Sequence, residues 1–311
     1  MEEQKQRLGA ADFDADLWRL FDQYVHGLID RHGFLDRATK FAVGGETAAT
    51  LLETLSPKFA QAQRVAPDDG RLRASFVELP SPAGNGKVRG YLVGPAKPSG
   101  KLPAVLVVHE NRGLNPHIED VTRRLALENY LAFAPDALFT LGGYPGDEDK
   151  ARELFQTLDR PKTLEDFVAS AKFLEGHAEA NGKVGVVGFC YGGGVTQLLA
   201  TRLPTLGAAV SFYGQSPAPE LAAAVEAELL VHLAETDERV NTSFPPFEVA
   251  LKAAQVKYQA FTYPGTLHGF HNDTTPRYDE PAAKLAWRRT LELFERTLRN
   301  GASASTPAPS A

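Results

Sequence analysis

The chain has 311 residues, 43 % of them hydrophobic, enough to bury a sizeable core as one large domain or as a domain with an appendage. Its formal net charge of −6 argues against nucleic acid or an anionic membrane surface as partner, and no apolar run approaches the roughly 18 residues that a membrane helix needs. One cysteine excludes an intrachain disulfide and raises the question of that thiol's reactivity.

Residues 1–70 read as a helical extension. Leu17, Phe21, Tyr24 and Leu28 recur at spacings of three and four and so share a face. Gly44 and Gly45 break the pattern, and Thr47 to Leu55 resume it. Such a stripe must dock on the main domain or on a second subunit, which makes a homodimer one expectation. The stretch from Arg31 to Gln63 is weakly similar to a twin-arginine export signal. It lacks two adjacent arginines, and Glu46 and Glu53 interrupt the apolar core. The reading is therefore helical structure in a cytoplasmic protein, with periplasmic export as the alternative.

Residues 71–299 read as one α/β domain. The segments 74–79 and 87–93 alternate apolar and polar residues around the turn sequence SPAGNG, which predicts an antiparallel hairpin. Short apolar runs come next at 104–108, 131–134, 184–187, 208–212, 229–233 and 258–263. Helical patterns lie near 117–129, 148–158, 162–177, 192–202, 245–255 and 281–298. This alternation predicts a mostly parallel central sheet with helices on both faces. Residues 300–311, GASASTPAPSA after Asn300, have almost nothing to bury and read as a disordered tail.

Ligands of such sheets bind at the carboxyl ends of the strands. The residues just past each strand are therefore informative. After 104–108 come His109, Glu110, Asn111 and Arg112. After 184–187 comes Gly188-Phe-Cys190-Tyr-Gly192. After 229–233 come Glu235 and Asp237, and after 258–263 comes His268. A thiol, an acid and an imidazole fall on one rim.

The Gly188 to Gly192 sequence fits a nucleophile elbow with cysteine where serine is commoner. Cys190 then sits at a helix N-terminus, where free amides and the helix dipole favour the thiolate. The amide of Tyr191 is one expected oxyanion donor, and the amide of Asn111 in the earlier loop is the second. The chain order Cys190, Asp237, His268 is that of the α/β-hydrolase fold. His268 would take the thiol proton and later activate water, and Asp237 would fix the imidazole tautomer. Glu235 is the rival acid. The bland alternatives are a buried structural cysteine, an N-capping aspartate and a loop histidine.

His271 could line the pocket or be structural. His109 and His232 read as core groups, while His26, His32, His117 and His177 fall in helices or loops without catalytic partners. No set of His, Cys, Asp and Glu shows metal-ligand spacing, so neither a metal nor a cofactor is expected.

The segments GFCYGG, AETDERV and YPGTLHGFHND resemble the dienelactone hydrolase family over residues 75–298. The resemblance implies that Cys190 is the nucleophile, with Asp237 and His268 completing a triad. It also implies that Glu110, in VVHENRGLNPHIED, contacts the resting thiol and moves when substrate binds. A salt bridge from Glu110 to Arg112 is the bland alternative. The family's substrate-binding arginines are missing from APDALFTLGGYPGD and HGFHND; Arg112, Arg239 and Arg277 are the nearest. The anionic dienelactone is therefore a doubtful substrate. Arg112, Phe139, Tyr144, Tyr213, Phe270 and His271 are candidate pocket residues.

These readings lead to a cofactor-independent hydrolase of a small ester, lactone or thioester, acting through a thioacyl intermediate. A redox-responsive protein cycling Cys190 through sulfenic acid is the second hypothesis, although no second cysteine is present to resolve it. A non-catalytic small-molecule binder on the same fold is the third.

Overall fold

Short apolar runs bounded by turns form the strands of a single eight-stranded sheet in the computed structural model, which describes residues 8–299. The strands are β1 (Leu72–Ser81), β2 (Gly86–Pro95), β3 (Leu102–Val108), β4 (Leu131–Pro135), β5 (Ala180–Phe189), β6 (Ala208–Phe212), β7 (Glu228–Ala234) and β8 (Tyr258–Tyr263). Their order across the sheet is β1-β2-β4-β3-β5-β6-β7-β8. The hairpin β1–β2 is antiparallel, β2 is antiparallel to β4, and all remaining pairs are parallel.

The helices are α1 (Ala15–Val25), α2 (Arg31–Ala38), α3 (Ala48–Leu55), α4 (Phe59–Ala62), α5 (Pro116–Leu127), α6 (Glu148–Gln156), α7 (Arg160–Glu175), α8 (Tyr191–Arg202), α9 (Glu238–Asn241), α10 (Phe244–Ala253) and α11 (Glu280–Phe294). The chain predicted as helix to residue 298 widens into a π-helical turn over Glu295–Arg299.

Period-two alternation explains why both faces of the sheet are covered. On β3, Leu106 and Val108 enter a core with Phe167 of α7 and Leu199 of α8. Val105 and Val107 enter the opposite core with Leu125 of α5 and Phe294 of α11. The expected α/β arrangement is present.

The N-terminal helices start at side-chain caps, as short helices need. Asp14, Asp30 and Thr47 accept the amides of Asp16, Gly33 and Thr50. Leu17, Phe21 and Tyr24 pack with Phe34, Leu52 and Leu55 in a separate cluster that reaches Leu267 of the main domain. Two expectations for this region need correction. Leu28 does not continue the stripe: it is 69 % exposed, because α1 ends at Val25 and Gly27 turns the chain at φ 74°. Residues 63–71 are not helical. They lead through two turns to β1, held where the Val65 amide donates to Asp120 (2.8 Å) and Arg123 donates to the Val65 carbonyl (2.9 Å).

No helix among the described residues is long and apolar enough to cross a membrane. The expected tail, 300–311, lies outside the described residues.

Candidate active site

The site begins at the junction of β5 and α8. Cys190 joins them at φ 54°, ψ −115°, a conformation that costs free energy in any non-glycine residue and recurs at functional turns. Close backbone approach explains the flanking glycines. A Cβ on Gly188 would lie 2.0 Å from the Gly192 carbonyl oxygen, and one on Gly192 would lie 2.2 Å from the Val108 carbonyl oxygen. Backbone cannot yield as a flexible side chain can. Gly192→Ala is therefore expected to destabilise the fold by about 1–3 kcal/mol, read as a lower denaturant midpoint. An unchanged midpoint would show that this packing is not needed.

The Cys190 amide donates to the Phe212 carbonyl (3.0 Å), which fixes the turn against β6. Tyr191 is the first residue of α8, so its N–H has no intrahelical acceptor and remains a candidate oxyanion donor. The Tyr191 ring packs edge-on against Phe155.

Asp237 comes after β7 and caps α9, accepting the Val240 amide at 3.3 Å. It has a second role besides capping. Its Oδ2 lies 2.5 Å from Nδ1 of His268, which comes after β8. A carboxylate can only accept, so Nδ1 carries the proton and Nε2 faces away from Asp237. That Nε2 is buried with no hydrogen-bond partner among the described residues, and a ring nitrogen of His268 lies within 4.8 Å of Cys190 Sγ. The rival acid Glu235 instead accepts the Gly265 amide (2.8 Å) at the surface.

Burial pushes the Cys190 thiol up, but the charge of His268 and the hydrogen bond of His26 override it and bring the thiol down to about 5. Burial pushes His268 down, but Cys190 and then Asp237 raise it to about 10. A buried thiol and a buried imidazole thus favour a thiolate–imidazolium pair.

His26 was not expected at this site from the sequence. This histidine caps the C-terminus of α1, and its Nε2 lies 3.6 Å from Cys190 Sγ. Its ring meets that of His268 edge-on, with centroids 4.8 Å apart. Three soft ligand atoms, from His26, Cys190 and His268, therefore converge from distant parts of the chain, which local metal-ligand spacing could not reveal. One signal was present: Asp22 and His26 are spaced i, i+4, with a glycine directly after the histidine.

Several predicted roles need correction. Glu110 does not face the thiol. Its carboxylate accepts the Asn272 amide (2.9 Å) and lines a separate small cavity with Arg112 and Glu148. Arg112 is no pocket wall to the thiol: it is buried and donates to the carbonyls of Asn111 and Val25. The Asn111 side chain also donates to Val25 (2.9 Å), while the residue lines the cavity before Cys190. Phe139 sits under the Lys87 ammonium at the hairpin, and Tyr144 donates to Glu148. Phe270 and His271 are core: Phe270 packs on Tyr213 and Tyr263, and His271 stacks on Phe189. Tyr213 does line the cavity, with its ring 5.0 Å from that of His268.

That cavity, about 410 Å³, opens onto Cys190. Arg152, Arg160 and Arg239 reach it from α6, α7 and α9, beside the apolar Phe155 and Leu198. The arginines missing after β4 and after His268 are thus matched by others from unrelated positions. A second cavity, about 640 Å³, is lined by α1 and reaches His268, Arg239 and Arg277.

An eight-stranded α/β sheet with a thiol turn, an acid and a histidine at successive strand ends defines the α/β-hydrolase class. The model of the "Dienelactone hydrolase family" matches residues 88–298, and a second model, "YqhI-like", matches residues 4–43. An Escherichia coli (strain K12) protein named "Putative carboxymethylenebutenolidase" is 34 % identical over 244 residues, covering 74 % of this chain and 89 % of that protein. Another from the same organism, "Putative hydrolase fragment YghX", is 58 % identical over 113 residues, covering 36 % of this chain and 97 % of that one. A solved structure titled as a "Putative Dienelactone Hydrolase" from Klebsiella pneumoniae matches at 30 % identity with a TM-score of 0.64. The match covers 72 % of this chain and 99 % of that one. The chain belongs to the dienelactone hydrolase family and is a carboxylic ester hydrolase.

Proposed function

We propose that the protein hydrolyses a small ester, lactone or thioester through a Cys190–His268–Asp237 triad. The observation that carries this reading is the 2.5 Å Asp237–His268 contact that aims the free Nε2 toward Cys190 Sγ. The thiol proton rests on His268 Nε2, leaving a thiolate. The sulfur attacks the acyl carbon, forming a C–S bond as the carbonyl π electrons move to oxygen. The Tyr191 amide donates to that oxyanion. Collapse expels the alkoxide, which takes the proton from His268. Water then gives a proton to His268 and its oxygen to the acyl carbon, and the C–S bond breaks. Apolar walls beside arginines suit a substrate with a hydrophobic portion and an anionic group.

The test is a panel of neutral and carboxylated esters and lactones, followed by intact-mass detection of an acyl adduct on Cys190. Turnover with no adduct under any quench condition, together with full activity of Cys190→Ala, would remove the thioacyl step. A reversible sulfenate without ester turnover would instead favour the redox reading.

The pH dependence derives from the two shifts. The thiol is depressed, so the thiolate is lost as pH falls through about 5. The imidazole is raised, so the imidazolium is lost as pH rises through about 10. For an uncharged ester, kcat/KM is expected to be flat across neutrality and to fall at both ends. An acidic limb near the ordinary histidine pKa of about 6.5 would contradict the ion pair and indicate a neutral thiol with a neutral base.

The extension over 1–70 is proposed to be part of the catalytic unit rather than an independent domain. The two cavities meet at Arg239, and each is lined by residues of α1 or its cap.

A further inference from the structure

The C-terminal end of α1 is held at three carbonyl groups, where a helix has acceptors to spare. The Tyr24 carbonyl accepts Arg152 (3.0 Å), and the Val25 carbonyl accepts both Asn111 (2.9 Å) and Arg112 (3.2 Å). The Asp22 carbonyl lies 2.8 Å from Nδ1 of His26, whose ring also meets the Asp22 carboxylate at 3.2 Å. Tyr24 donates its hydroxyl to Asp149 of α6. Two arginines and an asparagine of the main domain thus clamp the turn that carries His26. Gly27, at φ 74°, then leads the chain away, where a Cβ would lie 2.1 Å from the Gln156 amide nitrogen. So much anchoring is not needed to end a helix. Its result is to hold one imidazole nitrogen 3.6 Å from the sulfur.

We infer that His26 is a second catalytic imidazole, delivered to Cys190 Sγ by the N-terminal segment, and that efficient hydrolysis needs both His26 and His268. This rests on Cys190 being the nucleophile. The two rings are built alike: each presents Nδ1 to a carboxylate, Asp22 or Asp237, and Nε2 to the thiol side.

Their tasks differ, because their surroundings do. The Asp22 carbonyl can only accept, so Nδ1 of His26 carries a proton. Arg239 Nη2, 2.9 Å from Nε2 of His26, can only donate, so Nε2 accepts from it while His26 is neutral. When His26 is protonated that nitrogen donates to the Cys190 thiolate, the hydrogen bond that helps bring the thiol down. The charged and titratable groups facing His26 are Asp22 on its own helix, Cys190 at α8, Arg239 on α9 and His268 after β8. Burial pushes His26 down, but the hydrogen bonds with Asp22 and Cys190 raise it overall. The guanidinium touching Nε2 opposes a second positive charge there. His268 has no such cation on its Nε2. The proton lost by the thiol therefore resides on His268, while His26 fixes the direction of the sulfur.

His26 lies outside residues 88–298 and inside residues 4–43. The nucleophile's environment is thus completed by a segment that the dienelactone hydrolase model does not include.

The test uses the full chain with His26→Ala and His26→Gln, and Cys190→Ala as reference. His26→Ala should lower kcat by about 100-fold with KM little changed, the cost of losing about an ångström of positioning. Added imidazole should restore part of it. His26→Gln, whose amide can reach the Nε2 position, should fall between. The pH profile of Cys190 alkylation should move upward in His26→Ala, a change that lost helix packing alone would not give. Should His26→Ala fail to fold by circular dichroism, His26→Gln decides. Wild-type kcat and an unmoved alkylation profile in a folded His26 variant, with Cys190→Ala inactive, would overturn the role of His26 and leave the nucleophile standing. Full activity in Cys190→Ala would overturn both.

Discussion

Replacing Cys190 with alanine lowers kcat/KM for a simple ester such as p-nitrophenyl acetate by about 10⁴-fold or more, with the fold intact. Alanine keeps everything that shapes the turn. The residue is buried, and its φ of 54° is held by the Phe212 carbonyl on its amide and by the close packing of Gly188 and Gly192. Alanine tolerates that backbone no worse than cysteine does. What it loses is the only thiol in the chain. The Tyr191 amide and the cavity remain, so residual turnover should be that of a binding site with a charged wall. Intact-mass spectra of ester-treated protein should lose the acyl adduct at the same time. Serine is the sharper comparison. A hydroxyl ionises far above a thiol, so His268 cannot hold an ion pair with it at rest, and Cys190→Ser should stay within a few-fold of the alanine variant. Undiminished turnover in Cys190→Ala would mean that another group attacks the ester.

Much of this site was legible because its signals are local. Val184 to Val187 is a short apolar run ending in glycine, and only a sharp strand-to-helix turn accounts for Gly188 and Gly192 flanking a cysteine. Asp237 and His268 stand just past the ends of β7 and β8, the rim where a parallel sheet gathers its functional groups. The pocket walls were not legible. Phe270 and His271 stand two and three residues after His268, yet both turn into the core, because Phe212, Tyr213 and Trp287 offer them ring contacts there. Nothing in the sequence marks Arg152 and Arg160 for the site, and only the packing of α6 and α7 against Tyr191 brings them to the cavity. His26 lies 164 residues from Cys190, and the long-range docking of α1 decides its neighbours. The pattern predicted an amphipathic face for that helix; it could not say which surface the face would meet, nor that the helix would stop in time to leave Leu28 in solvent.

His268→Ala is expected to cost kcat/KM about 10³- to 10⁴-fold, and Asp237→Asn about as much, for different reasons. Alanine removes the proton acceptor and with it the charge that brings the thiol down to about 5. Burial, the opposing influence, then acts with less resistance, so Cys190 alkylation at neutral pH should slow and its pH midpoint rise. Asparagine at 237 leaves the imidazole in place, but its amide can present N–H to Nδ1, which puts the lone pair on the wrong side of the ring. Nε2 would then carry a proton it cannot accept again. Alkylation in that variant should respond to the lost carboxylate, while deacylation should be slowest, so the acyl adduct should accumulate in intact-mass spectra of Asp237→Asn and not of His268→Ala. The decisive variant is the double Cys190→Ala, His268→Ala. Groups that act as a unit do not lose activity additively. If the imidazole works only through the sulfur, the double variant should be no slower than Cys190→Ala alone, because His268 has nothing left to activate. A further hundredfold fall would mean that the histidine drives water onto the ester directly, and the thiol would lose its place in the reaction.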